Sequence, residues 1–162
     1  MEKSTRIQML EAGLTLLGEV GFRGWSMRRV EDTTGVPHGS ARHHFSDQRG
    51  LVLAMVRHLL AVDLPRADET PTQQVSRWTG SELAYTRARY ELIVAAFHDR
   101  ELTDELVRGR DQLVAVLQAR GMTKPDAAGL ATALDGMILD AVLRRTPPDE
   151  IETQAVVNRF LQ

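Results

Sequence analysis

The sequence predicts an all-α protein, and three observations carry that prediction. Apolar residues recur three and four apart along almost the whole chain, no stretch alternates convincingly with period two, and glycine or proline punctuates the pattern at helix-length intervals. About eight or nine helices are expected.

Taken in order, Ile7, Leu10, Leu14 and Leu17 form one helical stripe, and Gly21, which can adopt a left-handed conformation, is expected to end it. Ser26 is an N-cap for a second helix, with Trp25 placed to pack on Val30 as a hydrophobic staple and Gly35 to stop it. A very short third helix fits between Pro37 and His44; Pro37 suits its first position, where a missing N–H costs nothing. Ser46 or Asp47 then caps a fourth helix, apolar nearly all round from Leu51 to Val56 and therefore expected to be buried on both sides. Asp63 to Thr72, with Pro65, Pro71 and several acids, reads as a linker or exposed loop. Next come a turn of helix at Val75 to Trp78 and helices over Ser81 to Phe97, Leu102 to Arg120 (closed by Gly121) and Lys124 to Leu143. A break at Pro147-Pro148 precedes a last helix from Asp149 to Leu161.

Composition narrows the function classes. With 43% hydrophobic and 26% charged residues the chain is globular, not disordered. Apolar runs such as Leu92 to Phe97 are too short to span a bilayer, and Met1-Glu2-Lys3-Ser4 leads directly into a helical pattern with no secretory signal. The absence of cysteine excludes disulfides, thiol nucleophiles and Cys-ligated zinc, and a cytoplasmic location fits. Net charge is −2, but Met1 to Leu60 carries eight basic and six acidic residues against twelve and sixteen in the remainder, the asymmetry of a chain with one nucleic-acid end. No phosphate-binding glycine loop, Gly-x-Ser-x-Gly elbow or His-Glu-x-x-His is present, so no enzyme is expected. His38, His43, His44 and His58 lack a carboxylate at ligand spacing, so no metal and no cofactor are expected.

The stretch from Ser26 to Phe45 carries the functional signal: a short helix, a tight turn at Gly35, and a second short helix rich in small and polar residues. Such a pair can lay its second helix in the DNA major groove while the first braces the backbone. Arg28 and Arg29 sit in the first turn of their helix, where the macrodipole disfavours cations; a phosphate there would reverse the penalty, and a solvated face is the alternative. His38, Ser40, Arg42 and His43 project hydrogen-bonding groups, while Gly39 and Ala41 keep the surface low enough for close approach to the groove.

Residues Ile7 to about Leu60 resemble the N-terminal domain of the TetR family. The resemblance rests on Glu19-Val20-Gly21-Phe22, Ser26, Gly35-Val36, Gly39, His44-Phe45 and Leu51, and more loosely on Leu130-Ala131-Thr132-Ala133-Leu134-Asp135-Gly136-Met137. It implies a helix-turn-helix DNA-binding domain over residues 1–47, a connecting helix to about 62, and a helical regulatory and dimerisation domain over 48–162. It implies that Ser26 and Met27 hold phosphate, that Arg28 reaches a base edge or phosphate, and that His38 and Ser40 face bases. His43 and His44 would meet phosphates, and Phe45 would anchor the recognition helix. Pro37, Gly39 and Gln48 complete the expected DNA surface. Three positions depart from the family pattern: Arg42 replaces a usual aromatic, Gln48 a common lysine, and Glu31 a small alanine, which puts a carboxylate beside the turn. Arg42 can bind phosphate or, bidentately, guanine.

The Lys124–Leu143 helix has two apolar stripes: Ala127, Ala131, Leu134, Ile138 and Val142, and Leu130, Leu134, Met137 and Ala141. One can serve the chain's own core. A second copy would cover the other, unless the helix is simply central in a monomer. The expected dimer surface is Ala127, Ala131, Leu134, Ile138 and Val142, with Val156 and Phe160 from the last helix. Trp78, Tyr85, Tyr90, Phe97 and Met137 are candidate lining for the effector cavity that the resemblance implies, or ordinary core. Arg89 could hold an acidic group of the effector, or pair with a neighbouring glutamate or solvent. The expectation is a dimeric repressor on a pseudo-palindromic double-stranded DNA site, released by a small-molecule effector, with no membrane partner. The alternative is a helical ligand- or protein-binding module with decayed DNA contacts.

Overall fold

A computed structural model describes residues 4–161 of the chain. The Met1–Lys3 part of the leader reading, and Gln162, lie outside the described residues. Every regular element among the described residues is helical, and no helix there is long and apolar enough to cross a membrane.

Two compact units form, and they do not follow chain order: residues up to Val62 join with Ala84–Leu106, and Asp63–Leu83 with Val107 onward. In the first unit, α1 (Thr5–Gly24) starts at Ser4, whose side chain accepts from the Ile7 amide. Gly21 has positive φ, as expected, but a further turn follows the break, and the Phe22 amide donates to the Glu91 carboxylate. Helix α2 (Met27–Thr34) begins at Ser26, whose hydroxyl accepts from the Arg29 amide, and ends at left-handed Gly35. Trp25, the expected staple, is buried with its indole N–H donating to the Gly13 carbonyl.

Helix α3 spans only Ser40–Phe45 and starts at Gly39, at φ 91°. Pro37 therefore lies in the turn before the helix and not at its first position, because the chain needs a left-handed residue between the two, and only glycine takes that conformation without steric cost. Helix α4 (Gln48–Asp63) is capped by Asp47, whose carboxylate accepts from the Gly50 amide. Leu51 to Val56 are all buried, as their unbroken apolar run requires. They form one core with Met9, Leu10, Leu14, Leu17, Val30, Phe45 and, from α6 (Leu83–Ala96), Ala88 and Leu92. Fully burying each such aliphatic side chain contributes about 1.5–3 kcal/mol.

Helix α7 (Arg100–Ala119) belongs to the first unit as far as Leu106 and to the second from Val107. The second unit also holds α5 (Pro71–Thr79), α8 (Lys124–Arg144), a 3-10 turn (Pro148–Glu150) and α9 (Thr153–Val157). Helix α5 opens with a capping box, Thr70 and Gln73 each accepting from the other's amide. The expected last helix from Asp149 to Leu161 is thus reduced to five residues, and Phe160 packs beside Gly129 of α8.

Candidate nucleic-acid interface

Around the turn from α2 to α3 most of the expected residues are open to solvent. Arg28, Arg29, Pro37, His38, Gly39, Arg42, His43, His44 and Gln48 are all exposed, and Ser26, Met27 and Ser40 are half-buried. Ala41 and Phe45 alternate with them as anchors in the core. Met27, Arg28, Glu31, His38, Gly39 and Arg42 line a recess of about 240 Å³. Arg6 of α1 lies 5.3 Å over the Phe45 ring, so a cation stands at the far end of the recognition helix as well.

Several groups are less available than the sequence suggests. The Arg29 guanidinium turns back to donate to the Gly24 carbonyl at the end of α1. The cation that is misplaced at the start of α2 is thereby well placed at a carbonyl terminus, and Arg28 is left as the free guanidinium of the expected pair. The Ser40 hydroxyl donates to the Pro37 carbonyl at 2.6 Å, leaving its oxygen as an acceptor. The His38 ring lies 2.6 Å from the Asp32 carboxylate, which fixes the direction of the imidazole.

The sequence reading missed two features. Glu31, read as a carboxylate beside the turn, is 4% exposed and points inward, its Oε1 accepting from the Gly39 amide at 2.9 Å and the Ala41 amide at 2.8 Å. The signal was available: Gly39 has no side chain to cap its own helix, so those amides need an acceptor from elsewhere. Arg49, next to Gln48, forms a bidentate pair with Asp99 at 3.2 and 3.1 Å and reaches Glu101 at 2.7 Å. The Arg49 hydrogen bonds, with the Leu102 amide, hold the Asp99 carboxyl below its ordinary value. One α4 turn-pair further on, Arg57 meets Glu105 at 2.6 Å. These partners lie some fifty residues away, beyond any local pattern.

The expected dimer and effector residues fare differently. Ala127, Ala131, Leu134 and Ile138 are buried within their own chain, α8 packing on α5 and α9, so they offer no surface to a second copy. Val142, Val156 and Phe160 are half-buried. The exposed side of α8 is instead Ala128, Thr132, Gly136, Leu139 and Leu143. Of the expected effector lining, Trp78 and Met137 are in the second unit, and Tyr85, Arg89, Tyr90 and Phe97 in the first. Tyr85 packs against the first unit's core, whereas Phe97 is 74% exposed. An open cleft of about 920 Å³ in the second unit is lined by residues that include Arg66, Glu69, Gln73, Arg77 and Pro148.

Comparison with known proteins agrees with this geometry. A family model described as bacterial regulatory proteins, tetR family, matches residues 9–55, and one described as tetracyclin repressor-like, C-terminal domain, matches residues 66–162. The chain is similar to the HTH-type transcriptional repressor AcnR of Corynebacterium diphtheriae, at 40% identity over 52 residues, 32% of this chain and 27% of that protein. The match to AcnR proteins of two other Corynebacterium species likewise spans only 35% and 29% of their length. It is 25% identical to the HTH-type transcriptional regulator BetI of Paraburkholderia phytofirmans over 99% of this chain and 93% of BetI. Among solved structures, a TetR family member from Streptomyces coelicolor A3 superposes with a TM-score of 0.75 at 28% identity, covering 98% of this chain and 99% of that one. The multidrug binding protein EbrR, complexed with imidazole, gives 0.72 at 26% identity over 99% and 97%. Helix-turn-helix geometry and both family matches lead to one assignment: the chain belongs to the tetR family of bacterial regulatory proteins.

Proposed function

We propose that this protein is a homodimeric transcriptional repressor that reads a pseudo-palindromic DNA site through α2 and α3. Its reading unit would be residues 1–47, continued by α4 toward a regulatory part over 48–162. The observation that carries the reading is the exposure of Arg28 on α2, His38 in the turn, and Arg42, His43 and His44 on a recognition helix anchored by buried Ala41 and Phe45. Cations and imidazoles on the outside of a helix whose inner face is fixed are what groove recognition requires. Ser26 and Met27 would meet phosphate at the amide end of α2, and His38, Ser40 and Arg42 would face base edges.

Selection of genomic fragments by the purified protein in moderate salt is expected to enrich an inverted repeat with half-sites about 34–36 Å apart. Arg42→Ala is expected to lose about 1–3 kcal/mol of discrimination at one base position of each half-site. Affinity is expected to fall steeply with salt. Failure of the unmutated protein to enrich any sequence at any salt would favour the competing reading, a helical ligand- or partner-binding module; the engagement of Arg29 and Arg49 by protein groups speaks for it.

The second copy would dock on the outward side of α8, where Ala128, Thr132, Gly136, Leu139 and Leu143 form a stripe of small and apolar residues and Leu143 is 73% exposed. Spacings of three and four place them on one face, suited to close antiparallel helix packing. Leu143→Glu is expected to shift the protein to monomer in sedimentation velocity and to weaken operator binding in parallel; an unchanged dimer would place the interface elsewhere.

A small aromatic effector would bind in the helical body and release DNA, with coupling of about 1–3 kcal/mol. The similarity to EbrR, solved with proflavin and with ethidium, supports this class of ligand. Titration of proflavin against the protein–operator complex tests it, and an operator affinity indifferent to bound proflavin would count against the induction step.

A further inference from the structure

We infer that Glu31 is a positioning residue for DNA recognition: an internal carboxylate of α2 that sets the pose of the recognition helix without touching DNA. The inference rests on the DNA reading above and adds a residue to it.

A recognition helix of six residues has little intrinsic stability, since it makes few hydrogen bonds of its own and exposes its first amides. The usual remedy is a Ser, Thr, Asp or Asn at the N-cap. Here the N-cap is Gly39, whose φ of 91° forbids most alternatives and whose lack of a side chain leaves the cap unfilled. Glu31 fills it from a different helix. One oxygen, Oε1, accepts from both the Gly39 and the Ala41 amide, so a single atom fixes the start of α3 relative to the last turn of α2. Because Glu31 is 4% exposed and Ala41 fully buried, the bond to the Ala41 amide lies away from bulk water. The carboxylate also stands at the positive end of the α3 dipole. The next residue, Asp32, reaches across the same turn to His38, so consecutive acids of α2 hold both the lead-in to α3 and its first amides. The exposed side chains at 38, 42, 43 and 44 inherit their aim from this clamp.

The test compares Glu31→Ala and Glu31→Gln with the unmutated full chain, at a temperature where all three are folded by near-UV circular dichroism. Glu31→Ala is expected to bind the selected operator at least about tenfold more weakly. Its affinity for random duplex should change by less than about twofold, because the phosphate contacts remain. Glu31→Gln keeps an acceptor oxygen at the same reach and should recover operator binding to within about threefold. Gly39 and Ala41 amide resonances should move upfield and exchange faster in Glu31→Ala alone. Wild-type operator affinity in Glu31→Ala, or equal loss in both variants, would overturn the inference. If the unmutated chain selects no DNA, the function reading falls and the positioning role with it, while the amide resonances still report whether the clamp exists. The two failures are therefore distinguishable.

Discussion

Replacing Gly18 by alanine is expected to destabilise the protein by about 3 kcal/mol, the upper end of what overpacking usually costs. A Cβ at residue 18 of α1 would sit 1.9 Å from the Ala84 carbonyl oxygen and 2.6 Å from its carbon, where α6 begins. Both obstacles are backbone, so no rotamer change relieves the overlap; the two helices must separate, and the core that includes Leu14, Leu17 and Ala88 must open with them. The expected sign is the reverse of the ordinary one, because at an unobstructed helix position alanine is favoured over glycine by up to about 1 kcal/mol. Gly136 of α8, with nothing of its own chain within 4 Å of an added Cβ, supplies that contrast in the monomer. Urea unfolding of dilute Gly18→Ala and Gly136→Ala checks both; a Gly18→Ala midpoint at or above the unmutated one would refute the close approach of α1 to α6.

Arg77→Met is expected to cost about 3–5 kcal/mol, because it breaks a buried ion cluster from its cationic centre. The Arg77 guanidinium meets Glu69 through Nε at 2.7 Å and Nη2 at 2.8 Å, and Glu82 through Nη1 at 2.6 Å, with 6% of its side chain exposed. Methionine fills the volume but leaves two carboxylates without their shared partner. The cluster also closes the loop before α5: Arg66 donates its amide to Glu69, and Arg120 donates to the Arg66 and Glu69 carbonyls. The Arg77 hydrogen bonds, helped by the Arg66 amide and opposed by burial, hold the Glu69 carboxyl below its ordinary value. A carboxyl whose value is lowered by folding contributes stability above its unfolded value and loses it as pH falls through the folded one. The gap in melting temperature between the unmutated protein and Arg77→Met should therefore narrow from about pH 7 to about pH 3. A gap that stays constant would mean that Arg77 acts by packing alone. Adding Glu69→Gln and Glu82→Gln to Arg77→Met should restore part of the loss at neutral pH.

What the sequence made legible was local chemistry. Ser26, Gly35 and the unbroken run from Leu51 to Val56 each act within a few residues, and each appears in the structure as their physics requires. Pro37 misled because two rules competed for one turn: proline suits a first helical position, but the left-handed Gly39 two residues later moves the start of the helix. The last helix fell short because the apolar spacing from Asp149 to Leu161 says which residues are covered, not that a continuous helix covers them. The α8 stripe shows the same limit in another form. Periodicity identifies an apolar face, whereas its neighbour is chosen by topology, and here Ala127, Ala131, Leu134 and Ile138 are covered by their own chain. The effector candidates were grouped by residue type along the chain, yet α6 joins the first unit across a gap that no local pattern encodes. Arg49 escaped for the same reason, since its partners lie some fifty residues away, whereas Glu31 was legible only through the uncapped amides at Gly39 and Ala41.

The Arg49 fork bears on the thermodynamics of the DNA association proposed above. A salt titration counts ions displaced from the nucleic acid, about 0.9 for every phosphate neutralised, and it records only cations that arrive uncommitted. Arg49 arrives already neutralised by Asp99 and Glu101, and Arg29 has its guanidinium on a peptide carbonyl. For Arg49 to reach a phosphate its ion pairs must first break, so its contribution to the displaced-ion number is offset by the carboxylates it abandons, whereas Arg29, on a neutral carbonyl, loses a hydrogen bond but keeps its charge. The logarithmic slope should therefore report fewer phosphates than the surface has guanidinium groups, and Asp99→Asn with Glu101→Gln should steepen it by returning Arg49 to the pool of free cations.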